Sequence, residues 1–263
     1  MKNINYFKDK VIVITGASSG IGKELSLCLA HLGGKLVLAA RDEARLIELK
    51  TRISSNENEV ITQKTDVSIE EEIVNLINTT LARWGRLDIF ISNAGQYVQK
   101  PIEDIIIEEY RDLFEVNFYG SLYAVKHILP IMIAQNTGHM VFINSLDAKK
   151  GVIGDAPYVA TKSALDGFAD VLRQEVKEFG IDVMSVYPGR VDTPMIQDIK
   201  VPSISKKISP EKVADAIIKG IYKHKPVIIV PKKYYLIGAL NNLSPSLMDW
   251  LYKIFKIEGH KIK

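Results

Sequence analysis

Tyr158 and Lys162 are the residues of this 263-residue chain whose types and spacing most directly suggest chemistry. They stand four positions apart in Tyr-Val-Ala-Thr-Lys, and on a helix such positions share one face, so the phenol and the ammonium project toward the same point. A free tyrosine has a pKa of about 10, but a nearby cation favours the phenolate and lowers that value. The pair therefore suggests acid/base work, although Tyr-x-x-x-Lys alone is more often an exposed helical pair.

Ser145 precedes this pair, directly after a candidate strand at residues 140–144. From a strand end, its hydroxyl can reach the same substrate oxygen as Tyr158 and stabilise charge that develops there. The three residues together predict acid/base chemistry at a substrate oxygen.

A glycine-rich turn follows the first apolar run, in Val-Ile-Val-Ile-Thr-Gly-Ala-Ser-Ser-Gly-Ile-Gly (residues 11–22). The four β-branched residues predict a strand buried on both faces, and apolar residues at helical spacing predict a helix after the turn. Gly16 allows the tight turn, Gly20 lets a pyrophosphate approach the backbone, and Gly22 lets helix and strand pack closely. Glycines also end strands for structural reasons alone, but the flanking strand and helix favour a dinucleotide-binding βαβ unit, with phosphates at the helix N-terminus.

Strand and helix patterns alternate along the whole chain. Further candidate strands lie at 36–40, 60–65, 89–92, 140–144, 183–187 and 227–230, and candidate helices at 41–53, 69–84, 108–134, 157–179 and 210–222. The predicted fold class is α/β, a single Rossmann-like domain with a doubly wound parallel sheet and helices on both faces. Ligands of such sheets bind beyond the carboxyl ends of the strands, so the residues that end each strand are candidate site residues.

Three of these strand ends carry informative polar residues. Arg41 ends the second strand. A guanidinium at this position can hold a 2′-phosphate, whereas an acidic residue would hold the ribose hydroxyls. The arginine therefore favours NADP over NAD. The alternative is that Arg41 only opens the charged start of a helix. Asp66 could contact the adenine amino group, and Asn93-Ala94-Gly95 could line the face of the cofactor; both could also be plain turn residues.

The composition argues against several classes of protein. The 34 basic and 31 acidic residues give a net charge of +3, which is too balanced for a nucleic-acid binder. The single cysteine, Cys28, leaves no internal disulfide and fits a reducing compartment. No run reaches the roughly 18 apolar residues of a transmembrane helix, and the N-terminus has no signal-like apolar region. We expect a cytoplasmic protein, and no metal site is predicted.

Taken together, the motifs resemble the classical short-chain dehydrogenase/reductase family. The resemblance covers about residues 9–229 and rests on Thr15-Gly-Ala-Ser-Ser-Gly-Ile-Gly22, Asn93-Ala-Gly95, Asn117, Ser145, Tyr158-x-x-x-Lys162 and Pro188-Gly189. It implies that Tyr158 gives a proton to a carbonyl oxygen in reduction and removes it in oxidation, while Ser145 orients that oxygen. It implies that Lys162 binds the nicotinamide ribose and lowers the pKa of Tyr158. Asn117 would hold a water that links Lys162 to solvent, with an amide satisfied by backbone partners as the alternative.

The resemblance also implies where the cofactor binds. Pro188-Gly189 would close over the nicotinamide, and Thr193 would bind its carboxamide. Asn144 stands where the family often has a serine, and we expect it to replace that supporting hydroxyl. The complete predicted cofactor site comprises Gly16, Ser18, Ser19, Gly20, Ile21, Gly22, Arg41, Asp66, Val67, Asn93, Ala94, Gly95, Tyr158, Lys162, Pro188, Gly189, Val191 and Thr193.

Two segments outside the core motifs are predicted to contact the substrate or a partner. Residues 190–209 have little periodicity and predict a lid, whose apolar residues face a lipophilic substrate or pack on the next helix: Met195, Ile196, Ile199, Val201 and Ile204. In the tail, Ser244-Pro245 predicts a helix start, followed by an apolar stripe of Leu247, Trp250, Leu251, Ile254 and Phe255. The stripe could pack on its own domain, bury against a second subunit or lie on an anionic membrane surface.

The sequence thus predicts a catalytic domain at residues 1–230, with a lid at about 190–209, and an amphipathic tail at 231–263. The expected activity is NADP(H)-dependent hydride transfer between the nicotinamide and a ketone or secondary alcohol, with an apolar small-molecule substrate. An NAD-dependent alcohol dehydrogenase and a nucleotide-sensing or scaffold protein are the alternatives. The long helices at 108–134 and 157–179 suggest a homodimer or homotetramer, and the tail leaves peripheral membrane contact open.

Overall fold

Short β-branched segments of the chain lie side by side in one parallel sheet. The computed structural model describes residues 5–53, 59–200, 205–255, 257 and 260–261. Its strands are β1 (Val11–Thr15), β2 (Lys35–Ala40), β3 (Val60–Lys64), β4 (Ile89–Ser92), β5 (Gly138–Ile143), β6 (Ile181–Pro188), β7 (Ile199–Lys200), β8 (Val227–Val230) and β9 (His260–Lys261). The main sheet has seven strands in the order β3-β2-β1-β4-β5-β6-β8, all parallel, while β7 and β9 form a separate antiparallel pair.

Helices cover both faces of this sheet. They are α1 (Gly20–His31), α2 (Glu43–Ile53), α3 (Glu70–Trp84), α4 (Ile107–Phe114), α5 (Gly120–Gln135), α6 (Ala156–Glu175), α7 (Pro210–Tyr222), α8 (Tyr235–Leu243) and α9 (Pro245–Ile254). Successive strand residues point to opposite faces. Ile12 and Ile14 of β1 therefore share one core with Leu25 of α1, whereas Val13 shares the other core with Leu76 of α3. The predicted single Rossmann-like α/β domain is confirmed.

One predicted helix has an interruption that bears on the site. The segment predicted as a single helix at 108–134 forms α4, a π-helical turn at Glu115–Tyr119, and α5. The turn contains Asn117, a poor helix former, and π-turns of this kind are frequent at functional sites.

The end of the chain is more regular than the sequence predicts. The predicted lid contains β7, and residues 235–243, where the sequence shows only an apolar segment, form α8. α9 begins at Pro245 after Ser244, as predicted, although the Ser244 side chain makes no cap hydrogen bond. Val201 and Ile204 lie outside the described residues. No described helix is long and apolar enough to cross a lipid bilayer.

Candidate active site

The carboxyl ends of the parallel strands open into a cavity of about 710 Å³. It is bordered by the turn between β1 and α1, by residues that follow β2 to β6, and by α8 and α9. Gly22 and Asn117 are the predicted site residues that do not line it. The others do: Gly16, Ser18, Ser19, Gly20, Ile21, Arg41, Asp66, Val67, Asn93, Ala94, Gly95, Ser145, Tyr158, Lys162, Pro188, Gly189, Val191 and Thr193.

The glycine turn is packed too tightly for side chains. Gly16 has a φ of 63° and Gly20 a φ of 52°, in the left-handed region that favours glycine. A Cβ on Gly22 would lie 2.4 Å from the Gly16 carbonyl oxygen, and one on Gly20 would lie 2.9 Å from Cγ2 of Thr193. The start of α1 therefore borders the cavity as bare backbone, which fits the pyrophosphate of a dinucleotide.

Asn93 braces this turn from the neighbouring strand. Its Nδ2 donates to the carbonyl oxygens of Thr15 (3.0 Å) and Gly16 (3.1 Å). In return, the Thr15 hydroxyl accepts from the backbone N–H groups of Asn93 (3.0 Å) and Ala94 (3.1 Å). Asn93 thus has the turn role that the sequence left open, and it lines the cavity as well.

Asp66 also combines a turn role with a place in the cavity wall. Its Oδ1 accepts from the backbone N–H of Ser68 (3.0 Å) and from the Ser68 hydroxyl (2.6 Å). The adjacent Val67 packs on Gly120 of α5, where a Cβ would lie 2.8 Å from the Val67 carbonyl oxygen. This close approach fixes the loop after β3 at the cavity edge.

Arg41 is held at the cavity by a neutral partner. With its amide oxygen turned toward the guanidinium, Gln96 accepts from Nη1 (3.0 Å) and Nη2 (3.1 Å) of Arg41. None of the ion pairs between described residues involves Arg41, whereas Arg45 pairs with Asp42 at 3.2 Å. α2 begins at Glu43, and Asp42 accepts from the Arg45 backbone N–H at its start. Arg41 therefore lies beside the cavity without an ion-pair partner among the described residues.

Lys162 lies near the start of α6, where it points to the end of β5. The side chain is buried, and Nζ donates to the Ile143 carbonyl oxygen at 2.8 Å. Burial lowers the pKa of Lys162 to about 8. Its Nζ lies 5.7 Å from the centre of the Tyr158 ring.

Tyr158 differs from expectation in its protonation. The sequence predicts that Lys162 lowers the pKa of Tyr158, but burial and the Asp147 carboxylate raise it. The Lys162 ammonium donates to the Ile143 carbonyl oxygen, and its effect on the pKa of Tyr158 remains a prediction. Tyr158 is a neutral phenol at neutral pH, which is the form that can donate a proton.

Ser145 lies directly after β5 and is hydrogen-bonded to Asp147. Its Oγ donates to Asp147 Oδ2 and accepts from the Asp147 backbone N–H, both at 3.1 Å. Burial and Asp155 raise the pKa of Asp147 to about 6, while Ser145 and Arg190 act in the opposite direction. Asn144 supports the serine through its Oδ1, which accepts from the Ser145 backbone N–H at 2.9 Å.

Asn117 is buried behind these residues, in the π-helical turn. Its Nδ2 donates to the Gln96 carbonyl oxygen (2.9 Å) and to the Thr161 hydroxyl (3.1 Å), and its Oδ1 accepts from the Gln96 backbone N–H (2.7 Å). Thr161 in turn donates to the Tyr158 carbonyl oxygen at 2.8 Å. The amide is satisfied by protein partners, the alternative that the sequence left open, and its link to a water remains a prediction.

Several polar residues of the cavity wall have no role in the sequence prediction. Tyr97 packs edge to face on Tyr158, with ring centres 5.1 Å apart, and donates to Asp155 Oδ1 at 2.5 Å. Nη2 of Arg190 donates to the Ile257 carbonyl oxygen at 2.5 Å, and its Nη1 is buried with no hydrogen-bond partner in the described structure. Tyr97 follows a strand end and could have been suspected for that reason. Asp155 and Arg190 lie far apart in sequence and belong to none of the motifs, so the sequence does not indicate that they are site residues.

The two C-terminal helices pack on the catalytic part of the chain. Met248 is buried there, and Lys150 forms an ion pair with Asp249. Lys150 also lies over the Tyr252 ring, 5.6 Å from its centre. The tail therefore packs on its own domain through residues beside the predicted stripe, while four of the five stripe residues stay exposed: Leu247, Trp250 (58% exposed), Ile254 and Phe255. Apolar residues of the lid and the tail line the cavity together: Met195, Ile196, Ile199, Ile237, Leu240, Leu251 and Phe255.

Comparison with known proteins bears on this site. Residues 10–202 match the family model of the short chain dehydrogenases. The chain belongs to the short-chain dehydrogenase/reductase family. An uncharacterized oxidoreductase of Staphylococcus saprophyticus is 36% identical over 215 residues, which cover 81% of this chain and 92% of the relative. An uncharacterized oxidoreductase of Listeria monocytogenes is 35% identical over 225 residues, with coverage of 81% and 91%.

Solved structures of the family have the same fold. A short-chain dehydrogenase/reductase from Burkholderia phymatum in complex with NAD is 25% identical, with a TM-score of 0.83 over 92% of this chain and 95% of the other. A variant of actinorhodin polyketide ketoreductase with NADPH is 27% identical, with a TM-score of 0.79 over 88% and 97%. This short-chain dehydrogenase/reductase is therefore an oxidoreductase with a nicotinamide cofactor, and the choice between NAD and NADP has to be argued from its own residues.

Proposed function

We propose that this short-chain dehydrogenase/reductase transfers hydride between NADP(H) and a ketone or secondary alcohol with apolar substituents. The observation that carries the proposal is that Ser145, Tyr158 and Lys162 line the same cavity as Arg41. A proton donor, a hydroxyl that stabilises charge and a buried cation thus share one cavity with a group suited to a 2′-phosphate.

The residues around the substrate oxygen have complementary roles in reduction. When bound, the cofactor supplies a hydride to the carbonyl carbon. Tyr158 holds a proton because burial and Asp147 raise its pKa, so it can donate that proton to the carbonyl oxygen as the alcohol forms. Ser145 can donate a hydrogen bond to the same oxygen and stabilise the negative charge that develops on it. Lys162 adds a buried positive charge beside them.

Arg41 supports NADP as the cofactor. Its guanidinium is positioned by Gln96, a neutral amide, so its charge remains available for an anionic ligand. A planar guanidinium makes paired, charge-assisted hydrogen bonds with phosphate oxygens. No acidic residue ends β2, where an NAD-binding protein would hold the ribose hydroxyls.

The walls contributed by lid and tail support an apolar substrate. They are formed by Met195 and Ile199 from the lid and by Leu240, Leu251 and Phe255 from the tail. Burying apolar substrate surface there is favourable by about 25 cal/mol per Å². The substrate class we propose is a ketone with an aliphatic chain, such as a fatty-acyl or other lipid ketone.

Cofactor choice is tested by fluorescence titration of the protein with NADPH and with NADH. We expect NADPH to bind at least tenfold more tightly, equivalent to about 1.4 kcal/mol, and the Arg41→Ala variant to lose this preference. Arg83→Ala is the matched control, since Arg83 is an exposed arginine of α3 that pairs with Glu59 and is not part of the cavity wall, and it should keep the preference. Equal or tighter binding of NADH would instead favour an NAD-dependent alcohol dehydrogenase.

Turnover is tested by following NADPH oxidation with a panel of aliphatic ketones. The Tyr158→Phe variant should lower kcat by about 10²- to 10⁴-fold, the usual contribution of a general acid. Tyr123→Phe is the control, because the Tyr123 hydroxyl is bonded to Glu115 and is not part of the cavity wall, and its kcat should be unchanged. Cofactor binding without turnover of any ketone or secondary alcohol would favour the nucleotide-sensing or scaffold alternative.

We also propose that the outer faces of α8 and α9 contact an anionic membrane surface. Each helix presents large apolar side chains on one exposed face: Leu236 and Leu243 on α8, and Leu247, Trp250 and Ile254 on α9. The exposed cations Lys232 and Lys253 lie on or beside these helices. An apolar face with neighbouring lysines is typical of helices that lie on anionic lipid.

A homodimer or homotetramer is our proposal for the assembly. Tyr119, next to α5, is 39% exposed and stacks on Tyr123, and Val171 of α6 is 53% exposed. Exposed apolar residues on two long helices support pairing with a second copy. Sedimentation should show a dimer or larger at micromolar concentration, and a monomer would contradict this proposal.

A further inference from the structure

Three potential metal ligands converge at the edge of the sheet opposite the cavity. His139 is the second residue of β5 and is paired in register with Asp182, the second residue of β6. His224 follows α7, in the connection to β8. All three therefore lie near the amino ends of strands whose carboxyl ends carry the active site, and none has a role in the proposed reaction.

The side chains of these residues are close enough to share one ion. Nδ1 of His224 lies 2.6 Å from Asp182 Oδ2, and Nδ1 of His139 lies 3.8 Å from the same oxygen. One donor atom from each residue lies within 4.8 Å of the other two. The two imidazole rings are roughly parallel, at 28° to each other, with centres 6.2 Å apart.

The burial of His139 is the observation that points to a ligand. The residue is only 3% exposed, and neither ring nitrogen has a hydrogen-bond partner in the described part of the chain. Leaving a buried polar group without a partner is unfavourable, because the hydrogen bonds it made with water are not replaced. A bound cation would give one of these nitrogens a partner. The contact of His224 with Asp182 would alone be an ordinary surface pair.

We propose that His139, Asp182 and His224 bind one divalent transition-metal ion of the Zn²⁺ class, with a fourth position open to water. Two imidazole nitrogens and one carboxylate are ligands that Zn²⁺ accepts at about 2.0–2.2 Å, and Mg²⁺ and Ca²⁺ prefer oxygen ligands instead. Tetrahedral coordination at these bond lengths places neighbouring donors about 3.3 Å apart. The separations from Asp182 Oδ2, 2.6 and 3.8 Å, lie on either side of that value, and the two imidazole donors lie within 4.8 Å of each other.

Small side-chain movements are sufficient to reach this geometry. The side chains of His224 and Asp182 are 56% and 39% exposed, so both can turn toward the ion, while the packed ring of His139 provides the fixed ligand. Asp88 lies close by but is already engaged by Arg86 and by the backbone N–H of Val11. It is not part of the proposed set.

A metal here would join parts of the sheet that are distant in sequence. It would link the starts of β5 and β6 to the connection between α7 and β8, next to the edge-to-face contact of Tyr6 with the His224 ring at 5.9 Å. An ion that binds the folded state alone stabilises it by mass action. We therefore assign the site a stabilising role that is independent of the active site.

The test uses the full-length protein after treatment with a chelator. Titration with Zn²⁺ in a calorimeter, and with Co²⁺ by its visible absorption, should give one ion per chain and a rise in Tm. His224→Ala and Asp182→Asn should each weaken Zn²⁺ binding at least tenfold, or about 1.4 kcal/mol, and abolish the rise in Tm. Both side chains are partly exposed, so both variants are expected to fold and to keep NADPH-dependent activity.

Matched controls separate this site from other metal-binding groups. His31→Ala removes an exposed histidine at the end of α1, and Cys28→Ser removes the single thiol. Both variants should bind Zn²⁺ like the wild type. Absence of Zn²⁺ binding to the wild type, equal affinity in the His224→Ala and Asp182→Asn variants, or an equal loss in His31→Ala or Cys28→Ser would each overturn the proposal. None of these outcomes depends on the proposed reductase activity.

Discussion

The single hydroxyl hydrogen of Ser145 has two competing acceptors. In the protein alone it is donated to Asp147 Oδ2, while the substrate oxygen would need the same hydrogen during reduction. A protonated Asp147 could donate its own hydrogen to Ser145 Oγ and release the serine hydrogen for the substrate. The raised pKa of Asp147, about 6, puts this exchange within an accessible pH range.

We predict that carbonyl reduction becomes faster as the pH falls through about 6, the pKa of Asp147. Above this pH the carboxylate holds the Ser145 hydrogen, and below it the neutral acid releases it. The expected rise in kcat/KM is about 2- to 10-fold, since one neutral hydrogen bond contributes about 0.5–1.5 kcal/mol. The measurement is a pH profile of kcat/KM, which reports groups of the free enzyme.

The Asp147→Asn variant isolates this effect. Its amide can donate to Ser145 at every pH, so the step near pH 6 should disappear and kcat/KM at pH 8 should approach the low-pH value of the wild type. Asp170→Asn serves as the control, because Asp170 is an exposed residue of α6 paired with Arg173. An unchanged pH profile in Asp147→Asn would assign the step to another group, such as Asp155, whose pKa is also raised by burial.

At the scale of an element, replacing a helical glycine by alanine usually stabilises a protein. Gly22, at the junction of β1 and α1, should behave in the opposite way. We predict that Gly22→Ala lowers the free energy of unfolding by about 1–3 kcal/mol, as expected for overpacking. Its Cβ would lie 2.4 Å from the Gly16 carbonyl oxygen and 2.6 Å from Nδ2 of Asn93.

Gly167→Ala is the matched control inside α6, where a Cβ meets nothing within 4 Å. It should raise the free energy of unfolding by about 0.5–1 kcal/mol. Urea unfolding without cofactor measures both, and a Gly22→Ala variant as stable as the wild type would contradict the tight packing.

The elements that could be predicted from sequence are those with a local cause. β1 and α1 follow from a β-branched run, a glycine turn and a helical period. The π-helical turn at Glu115–Tyr119 could not be predicted, because apolar spacing continues through it and Gln96, the hydrogen-bond partner of Asn117, lies in another segment. α8 was missed because the short apolar run in Tyr235–Leu243 does not show whether the segment follows a helix or a strand period.

Residues of the site also differ in whether their position has a local cause in the sequence. Residues at strand ends, such as Ser145 and Arg41, could be proposed because parallel strands bring their carboxyl ends to one edge. The sequence does not show that Arg190 approaches Ile257, since this contact joins segments 67 residues apart. It also does not show that Asp147 raises the pKa of Tyr158, because that effect depends on how deeply both groups are packed.

At the scale of the whole molecule, α8 and α9 have two different apolar faces. The inner face lines the cavity with Ile237 of α8 and Leu251 of α9. The outer face leaves 82% of Leu243 and 67% of Leu236 exposed. A membrane surface on the outer face would place lipid against the same two helices that border the substrate cavity, which gives an apolar substrate a short route from the bilayer.

We therefore predict that the protein floats with vesicles that contain anionic lipid and binds neutral vesicles less, since Lys232 and Lys253 are exposed near the apolar face. The double variant Leu243→Gln and Trp250→Gln should remain unbound, because both apolar side chains are lost from the surface.

Ile47→Gln on α2 is the control, since Ile47 is 54% exposed and lies far from these helices in sequence. Raising the salt concentration should weaken the binding, because exposed charges are screened within about 10 Å at 0.1 M. If the double variant floats like the wild type, the membrane does not contact this face; if the variant instead changes from dimer to monomer in sedimentation, α8 and α9 cover a second subunit.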